Sequence, residues 1–587
     1  MSDAPPVSPR QPLIRLLRET MRWRAQLAIA VVSVALLGLA QLYLTWLVKR
    51  WMDGPLATGD LRALRSLLTE AAAVVVGGAA AVAVSRYSMT NINQRLVEWL
   101  RNRALDRVLV LEYPVASALP DGDVMARLLH DAATLAGFLE TFVRRLVREA
   151  TIGLGSIVML FVLDWKLALA TVAIVPSCAI LLTSVGGRIR RSSLAAHQEI
   201  GMLGAMLSEQ LHGLSTIKIF GTERVEADRF AVQNGRFRDS LMHAELWAVV
   251  LLGAVFLATG LALIAVVFYG TREIVSGQVS RTTLLAFCLY AGQTVEPLRR
   301  LSEIQGFLQG MVAAASRVYE IVDHPGVERS MGLPLSTEGV PDIRCDSVRF
   351  SYGDGPVLRD VVLDVPGGDQ LALVGASGSG KTTLARLLVG LYYPTAGSIR
   401  VAGVETASAR LVDLRRVVCC VEQEPFLFTG TVFENVAYGA AHPHVRAVRD
   451  ALTLVGLDAF VAALPSDLQT VLSEAGRQIS GGERQRIALA RAVVRDPRVL
   501  VLDEATSALD GETEAALFDR MRGWFAQRTV IAIAHRLSTV RRFPRTVLIE
   551  NGRIAADGQT DALIGAHPAF ASLFAEQLDA LGANLAL

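Results

Sequence analysis

Three uninterrupted apolar stretches constrain this chain more than any other feature. Ala25 to Val48 runs for 24 residues without a charge, and Leu167 to Gly187 and Leu246 to Thr271 are comparable. An α-helix needs about 20 such residues to cross the hydrocarbon of a bilayer. Arg10, Arg15, Arg18, Arg22 and Arg24 precede the first run. A signal-peptide core spans only about 7–15 residues before a small-residue cleavage site. The first run therefore reads as a retained transmembrane helix.

Three weaker runs, Ala71 to Ser85, Ala150 to Leu163 and Thr282 to Val295, meet charge before reaching a full span. Their placement pairs all six runs into three hairpins, with spans expected near 25–48, 66–88, 142–163, 166–187, 246–271 and 280–302. Composition agrees: 52% of the 587 residues are hydrophobic, above the roughly 45–50% of soluble proteins. The short connections 49–65, 164–166 and 272–281 hold seven Lys or Arg. The N-terminal arm and the long connections 86–148 and 188–244 hold about three times as many. The basic excess marks the cytoplasmic side, so a multi-pass protein of the cytoplasmic (inner) membrane is expected, with both termini inside. A net charge of +2 gives no sign of a nucleic-acid partner. Cys178, Cys288, Cys345, Cys419 and Cys420 show no C-x-x-C spacing and imply no disulfide framework, and the neighbours Cys419 and Cys420 read as core filler rather than a redox pair.

The long connections are not plain loops. Gln94 to Leu111 and Glu199 to Phe230 carry helical apolar spacing, so the spanning helices are expected to continue past the membrane. Each connection has a break fit for a short transverse helix, one between Glu112 and Asp123 and one between His212 and Thr222. The reading divides the chain into a membrane domain 1–325, a linker 326–341 rich in Pro and Gly, and a second domain 342–587.

That second domain alternates strand and helix patterns, as an α/β fold does. Gln370 to Val374 reads as a buried strand. It leads into Gly375-Ala376-Ser377-Gly378-Ser379-Gly380-Lys381-Thr382-Thr383 and then a helix over Leu384 to Val389. This is G-x4-G-K-T in the strand–loop–helix setting it requires. Backbone N–H groups freed by the glycines close around phosphate oxygens, Lys381 reaches the outer phosphates, and Thr382 is placed for Mg2+. Val499 to Leu502 is a second apolar strand, ending in Asp503 and Glu504. Asp503 suits Mg2+ through water, and Glu504 suits orienting or deprotonating the attacking water. A second acid there favours hydrolysis over transfer.

At this point residues 342–587 resemble the nucleotide-binding domain of ABC transporters, with ATP and Mg2+ as the implied ligands. Ile479-Ser480-Gly481-Gly482-Glu483 resembles the signature loop of that family. By the same resemblance Tyr352 is the aromatic that stacks on adenine. Gln423 is the glutamine between the metal and the membrane domain, and Ser507-Ala508-Leu509-Asp510 is the loop across the dimer seam. His535 is the γ-phosphate histidine, and Glu474-Ala475-Gly476 resembles the acidic stretch set against transverse helices. The membrane half resembles the exporter branch, in which six helices and one ATPase share a chain. The fold class implied is an all-α six-helix membrane domain followed by an α/β P-loop ATPase domain.

In this family each ATP lies between one P-loop and the other domain's signature. The resemblance therefore implies a dimer of half-transporters, a homodimer favoured over a heterodimer. The signature departs from the commonest pattern with Ile479 for Leu and Glu483 for Gln, and the added charge is expected to weaken the site slightly. For substrate, Arg145, Arg148, Glu296 and Arg299 sit at membrane depth, where charges face a cavity or a partner. They either pair and snorkel or form a basic ring for an amphipathic molecule with an anionic head. The segments around Arg148 and Arg299 resemble the bacterial lipid A and multidrug exporter family, and Glu296 departs from a purely cationic ring. Expected partners are membrane lipid and a lipid-like or drug-like substrate. An importer or peptide transporter on this fold stays open, although about twenty-four residues before the first span leave no room for a protease domain. An ATP-gated protein that does not transport stays open too, although Glu504 argues against it.

Overall fold

The computed structural model describes residues 10–578 apart from 173, 330, 337, 354, 473–478 and 576. It divides into two compact units, Met1–Leu109 with Pro120–His324, and Val110–Leu119 with Pro325–Leu587.

The first unit is helical. Its long elements are α1 (Arg24–Asp53), α2 (Leu61–Leu109), α3 (Ala132–Leu163), α4 (Trp165–Val172), α5 (Ile174–His212), α6 (Glu223–Val275) and α7 (Arg281–Val322). Among the described residues, Ile14–Thr58, Leu61–Leu109, Asp121–Leu163 and Glu223–Val275 are long and apolar enough to cross a membrane. The expected spans near 166–187 and 280–302 fall in α4–α5 and α7. Connections are short where a side chain caps the next helix. Asp164 Oδ1 accepts from the N–H groups of Lys166 and Leu167, both at 2.9 Å, and Ser280 caps α7 through Thr283 N–H.

Helices α1, α2, α3 and α7 pack together. A Cβ on Gly155 would stand 2.2 Å from Leu42 Cδ1, so α1 and α3 cross closely through a small residue, as membrane helices do. The buried Tyr290 hydroxyl of α7 donates to Leu42 O of α1 at 2.8 Å, satisfying a polar group where water is scarce. Helices α5 and α6 pack chiefly on each other. Among the described residues only Gln233, Ala244, Val266 and Gly270 of the 53-residue α6 are buried. The two breaks read from sequence hold short helices, Tyr113–Ala118 and Leu214–Phe220.

The second unit is built on a six-stranded sheet and a four-stranded one. In chain order the strands are β1 (Ile343–Ser351), β2 (Pro356–Val365), β3 (Gln370–Val374), β4 (Ala396–Val401), β5 (Val404–Glu405), β6 (Val418–Val421), β7 (Val499–Asp503), β8 (Thr529–Ile533), β9 (Arg545–Glu550) and β10 (Arg553–Gly558). The larger sheet runs β10-β9-β3-β8-β7-β6, parallel except for β10, and the smaller is an antiparallel β2-β1-β4-β5. Parallel strands covered on both faces lose the polar alternation of an exposed strand, which is why β3 and β7 read as continuous apolar runs. Their alternate residues still face opposite ways. Leu371, Leu373, Val499 and Val501 enter one core, while Ala372, Val374, Leu500 and Leu502 enter the other.

The stretch read as a linker is laid onto this unit. Leu335 is buried in the core with β1 and β2, and Leu333 bridges Ala409. The segment Val110–Leu119 belongs to the same unit. Glu112 N–H donates to Gly326 O at 2.9 Å, Glu328 N–H donates to Val110 O at 2.8 Å, and the Tyr113 ring meets Tyr392 edge-on at 5.6 Å. Composition marks a linker but cannot show that its backbone finds strand partners from a segment more than 200 residues away.

Candidate active site

The loop after β3 opens the helix α8 (Lys381–Leu388), so the helix begins at the lysine rather than at Leu384. Gly375 has φ +154°, and a Cβ there would meet Ile549 O at 2.2 Å. Only glycine lets this backbone turn so tightly against β9. Lys381 is buried, and its ammonium donates to Gly375 O at 2.8 Å and Ala376 O at 2.9 Å. Burial pushes it below the ordinary lysine value, against the pull of Glu504 and Asp503. Ser379 Oγ is buried without a hydrogen-bond partner among the described residues. A cationic loop at a helix N-terminus holding an unmatched hydroxyl fits a bound phosphate group.

Asp503 ends β7 and accepts from Thr382 Oγ1 at 3.1 Å. Burial pushes its carboxyl above the usual range, against the Thr382 hydrogen bond. This pairing of hydroxyl and desolvated carboxylate suits a hard cation. Glu504 follows with φ +50°, a left-handed conformation rare outside glycine. Its Oε2 accepts from Gln423 Nε2 at 2.7 Å, and its Oε1 stands 2.5 Å from His535 Nε2. Both oxygens of the candidate base are thus held by Gln423 and His535, side chains that the family resemblance assigns to the metal and to the γ-phosphate.

Tyr352 is half-exposed, meets Phe350 and Tyr392 edge-on, and hydrogen-bonds Thr383 at 3.2 Å. Its environment suits an aromatic platform for a base.

Ser480 caps the fifteen-residue helix α9 (Gly481–Arg495). The cap is reciprocal: Ser480 Oγ accepts from Glu483 N–H at 3.2 Å, and Glu483 Oε2 accepts from Ser480 N–H at 2.8 Å. Glu483 thus serves its own helix. Ala508 and Leu509 press on this turn, and a Cβ on Gly482 would stand 2.8 Å from Leu509 Cδ2. Asp510 caps the next helix, Gly511–Phe525, and the backbone N–H of Thr513 holds its carboxylate below the usual range. Among the described residues no hydrogen bond or ion pair joins Ile479–Glu483 to residues 375–383. Glu474, Ala475 and Gly476 lie outside the described residues.

Sequence reading missed Gln485, which is 2% exposed and hydrogen-bonded on both sides of its amide. A polar residue buried on an otherwise apolar helix face was the available signal.

Residues 27–298 match the ABC transporter transmembrane region family, and residues 358–507 match the family described as ABC transporter. The ATP-dependent lipid A-core flippase of Syntrophus aciditrophicus is 30% identical over 558 residues, covering 94% of this chain and 92% of the relative. The chain belongs to the ABC transporter family. A second relative, the ATP-dependent lipid A-core flippase of Thiobacillus denitrificans, is 32% identical over 565 residues, with 94% and 96% covered. A solved bacterial Atm1-family ABC exporter with ATP bound superposes with a TM-score of 0.81 at 25% identity, covering 94% of this chain and 98% of that one. This ABC transporter is a fused half-transporter, a helical membrane domain followed by an α/β ATPase domain that couples ATP hydrolysis to transport.

In the membrane unit of the transporter, Arg148 and Glu296 join one network. Arg148 donates to Glu149 Oε1 at 3.0 Å and to Gln41 Oε1 at 3.1 Å. Arg300 donates to the same Glu149 oxygen at 3.0 Å and to Glu296 at 2.7 Å. Glu149 is buried, while the two arginines are about one-third exposed at 30% and 36%. Arg145 is half-buried on α3. Arg299 falls within α7, and its side chain lies outside the described residues.

Proposed function

We propose that two copies of this chain form an exporter that flips an amphipathic, lipid-like molecule across a bacterial inner membrane. Each copy contributes six spans, with termini and ATPase domain on the cytoplasmic side. Each ATP is held between Lys381 of one copy and Ser480 of the other. Tyr352 stacks on the base, and the backbone N–H groups of residues 375–383 with Lys381 bind the phosphates. Thr382, Asp503 and Gln423 would hold Mg2+, which neutralises phosphate charge. Glu504 takes the proton of the attacking water, while His535 and Gln423 orient it. Closure of two such sites would turn the membrane cavity outward, and hydrolysis would reset it.

The observation that carries this reading is the pair of half-sites in one chain: a phosphate loop and a capped Ser-Gly-Gly turn with, among the described residues, no hydrogen bond or ion pair between them. Support for a second copy comes from the short helix Leu214–Phe220 outside the spans, with Ile219 79% exposed. The relatives' printed name, lipid A-core flippase, supports a lipid substrate. The network around Glu149 favours a second reading as well. Two arginines balanced by two glutamates leave little net charge, which suits a more broadly apolar substrate.

Reconstitution in nanodiscs separates these readings. With the anionic-lipid reading, lipid A-core raises ATPase activity at least threefold in the wild type and not in the Arg148→Ala, Arg299→Ala double variant. Equal stimulation in both overturns it in favour of the apolar reading.

A further inference from the structure

Gln485 sits two residues past the signature, and its side-chain amide reaches three parts of the ATPase unit. Its Nε2 donates to Gln423 O at 3.1 Å and to Ser507 Oγ at 3.0 Å, and lies 3.5 Å from Glu504 O. Its Oε1 accepts from Ala508 N–H at 3.0 Å. An amide has two N–H donors, and both are used here, as is its carbonyl. With 2% exposure, no water competes for these bonds, so the amide behaves as a fixed strut. The residues it touches are the ones that need holding. Glu504 is in a left-handed conformation, and its carbonyl also accepts from Ser507 N–H at 3.0 Å. Gln423 supplies the amide that grips the Glu504 carboxylate. Ala508 and Leu509 press on Gly481 and Gly482.

We infer that Gln485 is a positioning residue that ties the Ser480 turn to the Glu504 base, and thereby couples the two ATP sites of the dimer. This rests on the shared-site arrangement proposed above. There, Ser480 and Glu504 of one chain serve different ATP molecules. When the partner's nucleotide seats on Ser480, α9 shifts, and Gln485 passes that shift to the backbone of Gln423, Glu504 and Ser507. Hydrolysis at one site then depends on occupancy of the other.

The test uses the full chain in phospholipid nanodiscs and titrates ATP. Gln485→Leu keeps the volume and removes every polar bond. It is expected to lower kcat at least tenfold, to leave KM for ATP within threefold, and to bring the Hill coefficient to 1 from a wild-type value above 1. Mixed dimers purified through two tags, with one Gln485→Leu subunit, should retain less than a quarter of wild-type turnover, because each strut serves both sites. A kcat within twofold of wild type, or mixed dimers at half activity, overturns the inference. If Gln485→Leu does not fold, Gln485→Glu decides by the same thresholds, since it keeps the acceptor for Ala508 N–H and loses both donors. A wild-type Hill coefficient of 1 with no ATP-dependent association would instead count against the shared-site arrangement.

Discussion

Gln423 and Glu504, 81 residues apart, meet through a hydrogen bond of 2.7 Å from the glutamine amide to the carboxylate. His535 faces the other carboxylate oxygen at 2.5 Å. A carboxylate held at both oxygens keeps one orientation, which is what a base needs when water is delivered to it. Glu504→Gln keeps the shape and removes the charge. ATP turnover should fall by about 10²–10⁴-fold, the usual worth of a general base, while binding of a fluorescent ATP analogue persists. Turnover within threefold of wild type would remove Glu504 from the mechanism.

Asp503 gives a prediction with a sign. Burial raises its folded-state carboxyl value, so the folded chain binds more protons than the unfolded chain across the window from the ordinary carboxylate value up to the raised one. Stability from this group is therefore present below the window and lost as pH rises through it. Asp503→Asn imitates the protonated form. It should raise Tm at neutral pH without Mg2+, the gain shrinking as pH falls through the window, and should abolish Mg2+-dependent ATPase activity. Calorimetry on both proteins across pH checks the sign, and a lower Tm for the variant at neutral pH contradicts it.

Glu483 replaces the commoner glutamine without losing the cap, because either side chain can accept from Ser480 N–H. Glu483→Gln should leave Tm unchanged and lower KM for ATP by two- to threefold, as a negative charge near the phosphates is removed. Glu483→Ala loses half of the capping box and should cost about 1 kcal/mol. Thermal melts and ATP titrations of the two variants separate the cap from the charge.

Glu149 is the buried carboxylate beneath Arg148 and Arg300. Glu149→Ala removes the shared carboxylate and leaves Arg148 with Gln41 and Arg300 with Glu296. The expected loss is about 2 kcal/mol, less than the ~3–5 kcal/mol of a wholly buried pair, because both arginines keep some contact with solvent. A Tm equal to wild type in detergent and in nanodiscs would show that the network does not bind α3 to α7.

The site was legible in the sequence where chemistry demands fixed residue types at fixed spacing. Lys381, Thr382, Asp503 and Glu504, picked out by that spacing, come together at the ends of β3 and β7, and β3 and β7 announce themselves as buried apolar strands. What escaped depends on contacts distant in the chain. The sequence leaves Arg148 either paired or part of a basic ring, and the choice is made only when Arg300, 152 positions later, is seen on the same Glu149 oxygen. Gln485 reads as an ordinary polar helix residue until its four neighbours are in place. Val110–Leu119 reads as part of a membrane connection, yet its backbone pairs with 326–328.

The shared ATP site is the centre of the account, and one cross-link addresses it directly. A chain carrying Ser480→Cys and one tag is co-expressed with a chain carrying Ser377→Cys and a second tag, and oxidation is applied with and without ATP. The account predicts an ATP-dependent disulfide joining the two differently tagged chains. The contradicting result is a double-cysteine chain that closes the disulfide within itself while the mixed pair remains unlinked.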